Sequence, residues 1–227
     1  VGLKPTYLGI VDDTPLGKDV VEKLKNHKVN TDYMLTVPDG MGTWLAVFDN
    51  NGDLAGSISK RPVLLPIYDL LVEKGDEIFE NTDSVVLEVD IDLPIVKKVI
   101  ELAKKHNAKL FGLVSNMGIA TKRRDLLQNF DCFICNQQEA GLLFLDDYAG
   151  CSPEQMRHIL AQKVIQAQIP SMVVTMGDRG AVYATKDGDS GICPARKVLV
   201  KDTTGAGDAF CAGVSIGLTY GKTLAEA

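Results

Sequence analysis

The chain has 227 residues, 45% of them hydrophobic, and 30 acidic against 24 basic residues give a formal charge of -6. No basic block is longer than the KRR at 122–124, which argues against nucleic acid or an anionic membrane as partner. No apolar run approaches the roughly 20 residues of a membrane span and no basic-then-apolar leader precedes Val1, so a cytoplasmic protein without a membrane partner is expected.

In chain order, TYLGIV (6–11) reads as a strand and DVVEKLKNH (19–27) as an amphipathic helix. TWLAVFD and LAGSIS flank Asn50-Asn51-Gly52, and Asn-Gly between alternating runs signals a β-hairpin, expected as a small β appendage over 43–59. From Ile67 onward continuous apolar strands at 84–89, 109–114, 132–135 and 171–176 alternate with helical stretches at 93–106 and 153–168. That alternation predicts an α/β fold, a mostly parallel sheet with helices on both faces. Ligands of such sheets bind at the carboxyl ends of the strands, here Asp90, Ser115-Asn116, Asn136 and Thr175-Met176-Gly177.

The five cysteines read as reduced core thiols. Cys132 and Cys135 form a CxxC inside a predicted strand, where residues three apart point to opposite faces and cannot chelate together. His27, His106 and His158 are far apart in sequence, so neither zinc nor redox chemistry is indicated.

Two motif look-alikes fail on context. GLTYGKT (217–223) is one residue short of a P-loop and follows a helix where a strand is needed, and TGAGDAF has Phe210 at the third glycine of a dinucleotide fingerprint.

DTTGAGDAF (202–210) is more specific. Gly205, Ala206 and Gly207 open an apolar helix and can aim backbone N–H groups at a phosphoryl group. Ala209, Ala212, Gly213 and Gly217 predict that this helix is buried and packed tightly on its neighbours. Asp208 falls in its first turn, where a carboxylate can take the proton of a hydroxyl attacking that phosphoryl group. A plainer alternative is that Asp202 or Thr204 caps the helix and Asp208 complements its dipole.

The stretch DTTGAGDAFCAG resembles the C-terminal signature of the ribokinase-like, or PfkB, family of carbohydrate and nucleoside kinases. The resemblance implies Asp208 as catalytic base, Gly205, Ala206 and Gly207 as anion hole, and Asp202 with Thr204 at a monovalent cation, K+. NQQEA (136–140) is similar to the family's NxxE, which implies that Asn136 and Glu139 orient Mg2+ and the ATP phosphates, with Glu139 reaching the metal through water. Taken alone, Asn followed three residues later by Glu is also a capping box, and the two residues are expected on one helical face. VTMGDRGAVY (174–183) is similar to the family's TxGxxG, implying nucleotide contacts from Thr175, Gly177 and Gly180; its alternative is a turn between two strands.

The hairpin falls where the family places a β-sheet lid over the sugar, implying a ribokinase-like domain over 1–227 with a lid insertion. A two-stranded hairpin is barely stable alone and can bury only one face, so a homodimer formed through it is expected. GIVDDTPLG (9–17) is similar to GxVGxDxxG with one glycine absent, and the domain is expected to be incomplete at both ends. PIYDLL together with EVDIDLPIVKKVIELAKKH resembles the pseudouridine kinase branch, and Asn116 is a candidate substrate contact. The expected activity is ATP-dependent phosphorylation of a hydroxymethyl group on a sugar or nucleoside, the rival being a nucleotide-binding regulator without catalysis.

Overall fold

The computed structural model describes residues 2–48, 54–114, 121–200 and 203–227. The chain divides into two compact units, Val1–Lys74 and Gly75–Ala227.

The first unit holds two small sheets and a helix. Strand β1 (Gly9–Val11) pairs in parallel with β2 (Met34–Thr36), a strand the apolar pattern does not reveal. Helix α1 (Pro15–Asn26) begins four residues before the expected stretch. Pro15 presets the helical φ of the first turn, and the Thr14 hydroxyl caps it by accepting from the Gly17 N–H at 3.3 Å. Strands β3 (Thr43–Phe48) and β4 (Leu54–Lys60) pair antiparallel from Thr43↔Lys60 to Val47↔Gly56, as a hairpin requires. The Asn50-Asn51-Gly52 turn lies outside the described residues. The boundary between the units falls within α2 (Leu65–Phe79).

The second unit is built on six strands: β5 (Ser84–Glu88), β6 (Lys109–Leu113), β7 (Cys132–Asn136), β8 (Ser171–Thr175), β9 (Ala181–Thr185) and β10 (Ser190–Cys193). Their spatial order is β10-β9-β8-β7-β6-β5. The pairs from β5 to β8 are parallel and the two involving β9 antiparallel, so the sheet is mostly parallel with one antiparallel edge. Four of the five residues of β7 and of β8 are buried, as continuous apolar strands covered on both faces should be.

The helices are α3 (Leu93–His106), α4 (Gln137–Phe144), α5 (Pro153–Gln166) and α6 (Ala206–Thr219). Helix α3 has the predicted bounds: Pro94 opens it, Lys104, Lys105 and His106 lie in its last turn, and Asn107 ends it in the left-handed conformation at φ 55°. Ile95, Val96, Val99 and Ile100 form its buried stripe. Helix α5 stops at Gln166, two residues short of the expected end, with Gln168 at positive φ.

On one face of the sheet Phe111, Cys132, Ile134, Val173 and Ala181 pack against Cys211 and Val214 of α6. Cys135, of opposite parity, faces away from that cluster. Burial pushes the Cys132 thiol up to about 12 and the Cys135 thiol well above its ordinary value, so both behave as apolar core groups.

Candidate active site

Helix α6 is anchored at its C-terminal end. Ser84, at the start of β5, meets Thr219 with the two hydroxyls 2.7 Å apart, and Lys109, at the start of β6, donates to the Leu218 carbonyl at 2.6 Å. The end of α6 therefore lies at the amino ends of the strands. Fourteen helical residues span about 21 Å, slightly more than a five-residue strand. The start of α6 is accordingly at the carboxyl ends, the edge where α/β sheets bind ligands.

At that start Gly205 is the N-cap residue with φ +76°, a left-handed conformation that favours glycine, and it has no side chain with which to cap the helix. Thr204 is thus not the cap, and Asp202 lies outside the described residues. The Ala206 N–H donates to the Thr203 carbonyl at 3.1 Å. The Gly207 and Asp208 N–H groups belong to the first turn, where no intrahelical acceptor exists, and the partial positive charge of the helix is concentrated there. Among the described residues, chain neighbours and the helix's own backbone aside, no heavy atom stands within 4 Å of where a Cβ on Gly205 or Gly207 would be, which leaves room for an anion at this backbone. Asp208 is exposed in the same turn.

The expectation of a buried, tightly packed helix is met on one face only. Ala209, Ala212 and Gly213 are exposed, and of the four small residues only Gly217 is buried, against Ala227. The reason is one-sided packing: Cys211, Val214 and Ser215 face the sheet at helical spacing, which leaves the opposite face of α6 open.

Asn136 and Glu139 do not share a helical face either. Asn136 ends β7 and is the N-cap of α4, while Glu139 is three residues inside the helix. They form a capping box, with the Glu139 N–H donating to the Asn136 side chain at 2.8 Å and the Asn136 N–H donating to the Glu139 carboxylate at 2.7 Å. Glu139 is half-buried, and its pKa is raised by burial and by the negative charge of buried Asp90 at the end of β5. Among the described residues no three His, Cys, Asp or Glu side chains come together to hold a metal directly. A cation near Glu139 would relieve its burial cost, and the donor set fits one held mainly by phosphate oxygens and water.

Thr175 ends β8 beside Asn136, its register partner on β7. The chain then makes a short 3₁₀ turn, Gly177–Arg179, and returns antiparallel as β9. The turn between two strands and the TxGxxG spacing are thus the same segment. Gly180 has φ +95°, and a Cβ there would come within 2.1 Å of the Cys193 carbonyl oxygen, so only glycine fits. Asn136, Gln137, Thr175 and Gly177 line a cavity of about 550 Å3 with Asp146 and Tyr148 from the loop after α4. Asn116 lies outside the described residues. The P-loop look-alike falls where α6 ends, away from the edge that carries the other motifs.

The residues sequence reasoning missed are Gln137 and Arg179. Arg179 donates to the Gln137 Oε1 at 2.5 Å and to the Cys151 carbonyl at 2.7 Å. Both stood inside recognised motifs as spacers, and only the polarity of a glutamine directly after an N-cap hinted at a buried role.

The whole chain, residues 1–227, matches the profile of the pfkB family carbohydrate kinases. The chain belongs to that family. It is 34% identical to the guanosine-inosine kinase of Exiguobacterium acetylicum, over all of this chain and 75% of that protein. It is 22% identical to the ribokinase of Schizosaccharomyces pombe, over 98% of this chain and 70% of that one. Among solved structures, Arabidopsis thaliana ribokinase complexed with ribose and ATP superposes with a TM-score of 0.80 at 21% identity, covering 98% of this chain and 72% of that one. The fold is therefore ribokinase-like, and the pfkB chain is a phosphotransferase that acts on hydroxyl groups. Among the described residues no helix is long and apolar enough to cross a membrane.

Proposed function

We propose that the chain is an ATP-dependent kinase for the hydroxymethyl group of a nucleoside, with a purine nucleoside favoured over a free sugar. The carrying observation is Asp208 in the first turn of an α6 whose N-cap residue is Gly205, at the ligand-binding edge of the sheet. The acceptor hydroxyl oxygen attacks the terminal phosphorus, the bond from that phosphorus to ADP breaks, and the hydroxyl proton passes to the Asp208 carboxylate. Backbone N–H groups of Gly205, Ala206 and Gly207 stabilise the charge on the transferred group, for which Ala206 must exchange its Thr203 carbonyl partner for a phosphate oxygen. Thr175, Gly177 and Gly180 hold the nucleotide, and Asn136 and Glu139 orient its phosphates, Glu139 acting through water on Mg2+. Bound Mg2+ supplies charge neutralisation of the phosphates. Asp202 and Thr204 would be the residues to hold K+, and Asn116 would contact the acceptor.

The 34% identity to a guanosine-inosine kinase, against 22% to a ribokinase, supports the purine nucleoside over the pseudouridine suggested by the PIYDLL segment. The hairpin exposes Leu45, Val47 and Ile58 on one face, where Leu45 and Ile58 are register partners, which supports a homodimer formed through it. Sedimentation showing an active monomer at high concentration would remove the dimer. The function is tested by ADP release with guanosine, inosine, pseudouridine, ribose and deoxyribose. Turnover of a purine nucleoside is expected, and saturable ATP binding without turnover of any acceptor would favour a regulator.

A further inference from the structure

Two segments proposed to touch the nucleotide, 136–139 and 175–180, are joined on one side by the sheet, where Asn136 and Thr175 are register partners. On the other side a pair of side chains joins them. Gln137, the first residue of α4, is only 8% exposed. Its Nε2 donates to the Tyr148 carbonyl and, at 3.4 Å, to the Cys151 carbonyl, so its Oε1 is the one group left needing a donor. That donor is Arg179, 2.5 Å away on the turn between β8 and β9, whose second guanidinium nitrogen donates to the Cys151 carbonyl at 2.7 Å. One planar fork thus spans two acceptors on different segments, and one amide spans the loop at 148–151. A lysine has three donors on one nitrogen but lacks the planar two-nitrogen fork that matches this pair of acceptors.

Resting on the nucleotide site proposed above, we propose that Arg179 is a positioning residue: through buried Gln137 it holds the Gly177–Gly180 turn against the start of α4 and so sets the width of the site that receives the nucleotide phosphates. The physical reason is rigidity. The turn between β8 and β9 has only main-chain hydrogen bonds of its own, such as the Met176 N–H to the Gly180 carbonyl at 2.8 Å, and these fix its internal shape without fixing its distance from α4. Both acceptors of Arg179 are neutral, so the contact leaves its positive charge in place near the phosphates.

The test uses Arg179→Ala, Arg179→Lys, Gln137→Met and the Arg179→Ala/Gln137→Met double variant, with steady-state kinetics in ATP, melting, and amide hydrogen exchange of the nucleotide-free protein. Arg179→Ala is expected to raise the KM for ATP about tenfold, the scale of one charge-assisted hydrogen bond lost from a buried acceptor. Its kcat stays within about threefold, Arg179→Lys recovers part of the KM, and the double variant is no worse than the poorer single one. A purely structural role predicts a lower Tm and less active enzyme with KM unchanged. Faster exchange of the amides at 148–151 and 177–180 in Arg179→Ala is expected even without nucleotide. Unchanged exchange in both segments, or a KM within about twofold of the parent, would overturn the positioning role. A parent protein with no saturable ATP dependence would instead overturn the nucleotide site itself, and the exchange experiment would still decide whether Arg179 clamps the turn.

Discussion

The hydroxyls of Ser84 and Thr219 lie 2.7 Å apart across 135 residues of chain, and their contact decides which end of α6 faces the ligand edge. Thr219 also donates to the Ser215 carbonyl at 2.7 Å, so the Ser84 hydroxyl is the donor between the two. Ser84→Ala then removes one hydrogen bond and strands no donor, at a cost of about 0.5–1.5 kcal/mol. Thr219→Val leaves the Ser84 hydroxyl without its acceptor and removes the second donor to the Ser215 carbonyl, and should cost more. Urea unfolding of the two variants checks the order; equal losses would mean that the helix end is held by Lys109 and packing alone.

Asp208 sits in a turn that attracts anions, where a carboxylate can serve either as a catalytic base or as a complement to the helix dipole. Asp208→Asn is expected to lower kcat by roughly a hundredfold or more, within the range of a lost general base, while ATP binds no worse. If Asp208 only complements the helix dipole, kcat stays near normal and stability falls by about 0.3–1 kcal/mol. Kinetics, ATP affinity and melting of that one variant separate the two outcomes.

Glu139 carries a pH signature. Its pKa is raised in the folded protein by burial and by Asp90, so the folded state binds this proton more tightly than the unfolded chain does. The resulting stability is fully present below the ordinary glutamate range, near 4.3, and is lost as pH rises through the raised folded value. Glu139→Gln keeps the capping-box acceptor and cannot ionise. The variant should gain stability relative to the parent across that window and be at least as stable at pH 7, yet respond more weakly to Mg2+ in turnover. Parallel stability curves from acid to neutral pH would contradict the raised pKa.

Two glycines of the turn between β8 and β9 should answer differently to alanine. Gly177 has φ +61° with no heavy atom within 4 Å of a Cβ, so Gly177→Ala meets only the left-handed penalty, about 1–2 kcal/mol. Gly180 has φ +95° and the Cys193 carbonyl oxygen 2.1 Å from the same point. Gly180→Ala must move β10 or distort the turn, and should cost more than about 3 kcal/mol. Similar melting temperatures for the two variants would show that β10 yields freely.

Local patterning was enough for every element whose physics is local. The apolar runs of β7 and β8, the bounds of α3 and the hairpin strands β3 and β4 follow from periodicity, caps and turn residues within a few positions of one another. The site motifs at 136–139, 175–180 and 205–208 were legible for the same reason: each is a glycine, a cap or a carboxylate at a helix start or strand end, where backbone geometry dictates the residue type. Neither β2 nor the edge strand β10 was read from apolar runs, because short edge strands take their identity from the neighbour they pair with.

What the sequence by itself determined was the family and the sheet edge at which its motifs gather, since those depend on contiguous residues and on the direction of each strand. Which side of a helix is covered depends on contacts between residues far apart in the chain, and only the tertiary structure decided it. Composition made α6 look buried and tightly packed, while packing on β6 and β7 covers Cys211, Val214 and Ser215 and leaves Ala209, Ala212 and Gly213 in the open. The same holds for Arg179 and Gln137. Their pairing across 42 residues satisfies a buried amide, and a hydrogen bond of that kind leaves no periodic trace in the sequence, because its two halves have no spacing in common until the sheet brings them together.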